Sequence, residues 1–188
     1  MCTVLEFPVG GRVVDGDAFP AFTERTLRGE IVPQIAKTIE DLQARDVAHR
    51  AIHLKNLYYR DRERTEVVLG ECITAPPGYH TPAAYEPLER ALANPAGRGQ
   101  GAAVDDMYAL GALVMSLHLG RDVGTHGAAP SFLEARIQQG SYVALGGSHD
   151  ASGTVPELLR GLLEDNSDKR WTAEDAANWT QGLAARKT

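Results

Sequence analysis

The chain has 188 residues, enough for one domain, and its 43% hydrophobic and 23% charged residues fit a globular protein rather than a fibrous or disordered one. A net charge of -6, from 25 acids against 19 bases with no basic block, argues against nucleic acid or an anionic membrane surface as the main partner. Two cysteines, Cys2 and Cys72, make neither a disulfide framework nor a C-x-x-C zinc pair, and the longest apolar run, ALGALVM, is too short to span a bilayer, so a cytoplasmic protein is expected.

The N-terminus, MCTVLEFPVGG, lacks the basic start and long apolar run of a signal peptide. CTVLEF predicts a short strand, and PVGGRV a turn. A helix follows over Leu27 to Arg45, with Ile31, Ile35, Ile39 and Leu42 on one face and Pro33 near its first turns. VAHRAIHLKN reads as a loop, Leu57 to Tyr59 as a strand, RDRER as a turn and TEVVLGE as the partner strand of a hairpin. ITAPPGYHTPA is loop, and Tyr85 to Ala93 a short helix. NPAGRGQGAA is a Gly-rich connection. DDMYALGALVMSLHLG is apolar on nearly all sides and predicts a helix in the middle of the domain, with Asp105 or Asp106 as its cap. SFLEARIQQG is a helix stopped by Gly140. TVPELLRGLLED and TAEDAANWTQGLAAR are two more, the last with Thr172 and Asp175 placed as a capping box. The expected class is mainly α with a small β-hairpin.

Landmarks along this order carry a resemblance. His49-Arg50-Ala51 followed by Asn56 keeps the spacing of H-R-D-L-x-x-x-N, with Ala51 in place of Asp and His53 two positions later. VVLGECI puts Glu71, Cys72 and Ile73 where a strand would be followed by D-F-G. Asp106 to Gly111, DMYALG, matches D-x-[WY]-[SA]-x-G, and LLEDNSDKRWTAEDA matches D-P-x-x-R-[PS]-[ST] with Arg170 as its Arg. In this order and spacing the chain resembles the C-terminal lobe and hinge of a protein kinase, of the bacterial Ser/Thr type, in a degenerate form.

The resemblance implies one domain over 1–188, with 1–14 as the last N-lobe strand and hinge and 15–188 as the helical lobe. Glu6 and Phe7 fall at hinge positions, and the chain opens too late for the Gly-rich loop and the strand Lys. Asp106 is implied to hold the backbone of the catalytic loop. Arg170 is implied to pair with the Glu that ends the activation segment, here Glu86 or Glu89. Asp106, Gly111, Arg170 and one of these acids are thus the structural set. Phosphoryl transfer needs a catalytic base and acidic metal ligands. Ala51 cannot serve as the base, so the expectation is a non-catalytic pseudokinase with no cofactor. Under the alternative, an atypical kinase or nucleotide-binding domain completed by a partner or a longer chain, ATP and magnesium would meet Glu6, Phe7, Asn56, Tyr58 and Glu71.

Plainer readings stand beside these. His49 is a packed structural histidine; His49 and His53 also have metal-pair spacing, with no third ligand in view. Asn56 fixes a loop, Glu71 is a solvated or salt-bridged acid, and Cys72 fills space. Without an N-lobe, the upper face would expose Val4, Leu5, Leu57 and Tyr58, which predicts a protein partner, a second copy or the rest of a longer chain there.

Overall fold

The computed structural model describes residues 8–72, 81–92, 101–126 and 129–183. The expected first strand, with Val4, Leu5, Glu6 and Phe7, lies outside these residues, as does Ile73. The described helices are α1 (Glu24–Thr26), α2 (Val32–Gln43), α3 (Leu88–Ala91), α4 (Ala103–Leu119), α5 (Pro130–Gln139), α6 (Ser141–Ala144), α7 (Thr154–Leu162) and α8 (Ala173–Thr180). The strands β1 (Leu57–Tyr59) and β2 (Val67–Leu69) pair antiparallel, with Leu57 opposite Leu69 and Tyr59 opposite Val67. The fold is therefore mainly helical with a small hairpin. Among the described residues no helix is long and apolar enough to cross a membrane.

The helix expected from Leu27 starts earlier and is interrupted. The Thr23 hydroxyl caps it at Glu24 by accepting the Thr26 N–H at 3.2 Å. Leu27–Ile31 then form a π turn, in which the Val32 N–H reaches back to the Leu27 carbonyl. Pro33 gives the reason. It has no N–H, and in an α-helix its ring would strike the carbonyl four residues back, so a wider turn makes room. Ile31, Ile35 and Ile39 are buried on one face, and Leu42 is half-buried. The helix expected over Tyr85 to Ala93 is a 3-10 turn (Ala83–Tyr85) and then α3, broken at Pro87.

In the hairpin turn, the Asp61 carboxylate accepts the Thr65 N–H and hydroxyl and the Glu66 N–H. Residues 9–13 do more than turn. The Val9 and Gly10 N–H groups donate to the Arg60 and Tyr59 carbonyls, Tyr59 N–H to Gly11, and Val13 N–H to Leu57. Arg12 bridges antiparallel to Tyr58. This segment lies along β1, and it corrects one expectation: Leu57 is fully buried, not part of an exposed upper face. Its side chain joins the main core, and Tyr58, on the opposite side of the pleat, is half-buried.

The central helix is as expected. Every residue of α4 from Asp105 to Leu117 is buried. Its cap differs: Ala102 holds the N-cap position, and Asp105 closes the turn from inside by accepting the Ala102 N–H at 2.8 Å. That frees Asp106 for another task. At Gly111 a Cβ would lie 2.8 Å from the Leu162 Cβ, so α4 and α7 meet at near-backbone distance there. α4 stops at Gly120, whose φ of 68° suits glycine. α5 stops at Gly140, and Thr172 and Asp175 form the expected capping box of α8.

Candidate functional site

The loop from His49 to Asn56 lies between α2 and β1 and ends in a 3-10 turn, Leu54–Asn56. Two side chains fix it. Asp106 turns its carboxylate from α4 onto the loop backbone: Oδ2 accepts the His49 N–H at 2.6 Å and Oδ1 the Arg50 N–H at 3.0 Å. Arg50 has a left-handed φ of 58°. A left-handed residue makes successive N–H groups converge, and such a concavity holds an anion. Here the anion is a side chain of the protein itself.

Asn56 is the second. Its Nδ2 donates to the carbonyls of Ala51 and Glu71, each at 2.8 Å, and its Oδ1 accepts the Glu71 N–H at 2.9 Å. Asn56 is buried, and its carboxamide stitches the loop to the chain after β2. The meeting of Asn56 and Glu71 is therefore through the Glu71 backbone; the residue Glu71 is itself exposed. Ala51 is buried and offers only a methyl group. A cleft of about 250 Å³ beside the loop is lined by Arg12, Val14, Gly16, Asp17, Leu54 and Lys55, and neither Asn56, Tyr58 nor Glu71 lines it. Asn56 Oδ1 and the Tyr58 ring both lie against Gly70, next to the Glu71 backbone that Asn56 binds, while Glu6 and Phe7 lie outside the described residues.

His49 is 2% exposed, and among the described residues its Nδ1 has no hydrogen-bond partner. Burial lowers its pKa to about 4. Burial raises the pKa of Asp106 to about 6, against the pull of the two N–H donors. His53 is also lowered, first by burial, and its ring sits edge-on to Tyr85. Among the described residues no three His, Cys, Asp or Glu side chains could hold a metal ion, so the His49–His53 spacing gathers no third ligand there. Cys72 is half-buried, and burial raises its thiol, which keeps it protonated.

The two shifts at His49 and Asp106 act in opposite directions. His49 contributes stability that is present above its ordinary 6.5 and lost as pH falls toward about 4. Asp106 contributes stability that is present below its ordinary 3.8 and lost as pH rises through about 6. Each is worth roughly 3 kcal/mol, so they nearly cancel across this window. His49→Phe removes one of them. Urea unfolding should show the variant gaining on the wild type by up to about 3 kcal/mol between pH 7 and pH 4.5. A difference that stays constant with pH would remove His49 from this balance.

Other buried groups complete the surroundings, and sequence reasoning did not find them. The Tyr85 hydroxyl donates to Asp122 at 2.9 Å, meets the Ser116 hydroxyl at 3.0 Å and accepts the Leu54 N–H at 3.4 Å. Arg136, on α5, is 1% exposed and binds the carbonyls of Ala83 and Glu86, the Tyr108 hydroxyl and the Ser141 hydroxyl. The available signal was faint: Phe132 and Arg136 are four apart and share the buried face of α5.

Arg170 is buried and donates to the Glu164 carbonyl at 2.9 Å and the Val104 carbonyl at 3.3 Å. Of the two acids offered as its partner, Glu89 reaches it at 3.8 Å, while the Glu86 carbonyl accepts from Arg136. Asp105 stands nearer, at 3.5 Å, and also pairs with Arg90 at 3.1 Å. The Arg50 side chain donates to the Gly101 and Ala48 carbonyls. No family model matches this chain, and no curated protein matches it.

Proposed function

We propose that this chain is a kinase-like C-lobe that does not transfer phosphate and works by binding another protein. The observation that carries the reading is the grip of Asp106 on the His49 and Arg50 N–H groups, around a loop whose base position is Ala51. The resemblance assigns Asp106 that role. Asn56 supports the same reading. Both ends of its carboxamide are engaged by backbone groups, so taking up a metal would first break those bonds.

Thermal unfolding with and without ATP, in magnesium and in EDTA, tests this. A ligand that binds only the folded protein raises the midpoint. No shift is expected at millimolar nucleotide. A magnesium-dependent shift lost in Asn56→Ala or Glu71→Ala would overturn the proposal in favour of an atypical kinase or nucleotide-binding domain completed by a partner or a longer chain.

The partner surface in this reading is the upper face, along residues 8–14 and β1. Val9 there is 65% exposed, and Tyr58 is half-buried. A second copy and a different protein are the two occupants to separate. Light scattering over a concentration series is expected to show self-association that Val9→Glu weakens. A monomer at every concentration would leave a different protein as the occupant, to be sought by crosslinking from position 9.

A further inference from the structure

We draw no further inference here: the strongest candidate, the groove of about 460 Å³ between the C-terminal end of α2, the start of α4 and the loop before α8, carries nothing, because the buried polar side chains that line it, Arg170 and Asp175, are already bonded within the chain and nothing in the structure shows what covers it.

Discussion

Asp106→Ala is expected to lower the unfolding free energy by about 1–3 kcal/mol, measured by urea denaturation at pH 7. The variant leaves the His49 and Arg50 N–H groups without their acceptor. A buried donor stripped of its partner costs about 1–3 kcal/mol. Part of that is returned, because the ionised carboxylate is itself disfavoured by burial, as its raised pKa of about 6 records. Asp106→Asn should fall between the wild type and the alanine variant, since its single carbonyl oxygen can still accept. Hydrogen exchange at residues 49 and 50 should accelerate in both variants. If Asp106→Ala unfolds within about 0.5 kcal/mol of the wild type, Asp106 is not the anchor of this loop and the main support for the proposed function is gone.

Arg136→Met is expected to cost about 3–5 kcal/mol, among the largest effects of any single substitution in the chain. The side chain is 1% exposed, so protein groups rather than water must satisfy its donors. Its guanidinium serves the carbonyls of Ala83 and Glu86 and the hydroxyls of Tyr108 and Ser141, and lies over the rings of Tyr108 and Phe132. Methionine fills much of the same volume but leaves those acceptors dry. Arg136→Lys keeps the charge without the planar fork, so it should recover less than half of the loss. Equal stability of the methionine variant would show that the segment from Ala83 to Glu86 is held by other contacts.

What could be read from the sequence was set by periodicity and by punctuation. α4 was legible because its apolar residues leave no polar face, and the helix is indeed buried from Asp105 to Leu117. The hairpin and the capping box of α8 were legible because turn and cap residues act on their near neighbours. Effects that depend on residues far apart in the chain were not. The burial of Leu57 depends on residues 9–13 lying along β1, and PVGGRV alone says only that the chain bends. That Arg170 meets Asp105 and Glu89 depends on how the fold brings α3 and α4 to it, which spacing along the chain does not give. At the candidate site, Asp106 and Asn56 were singled out through the resemblance alone, since Asp106 reaches a loop 57 residues earlier and no spacing between neighbours gives that contact. The fully buried network of Tyr85, Ser116 and Asp122 gave no such signal.

The position of α4 has a consequence for how the molecule is made. Asp106 completes a loop 57 residues earlier in the chain. α2 packs on both α4 and α8, and α4 on α7. A chain emerging from the ribosome therefore carries α2, the loop and the hairpin with their anchors still unsynthesised. Neither half can settle first as a finished unit, because loop closure must be met before the long-range contacts repay it. During that interval the buried face of α2, with Ile35 and Ile39, has the hairpin to pack on but neither α4 nor α8, so the first half is the stage at which apolar surface is most exposed to wrong contacts.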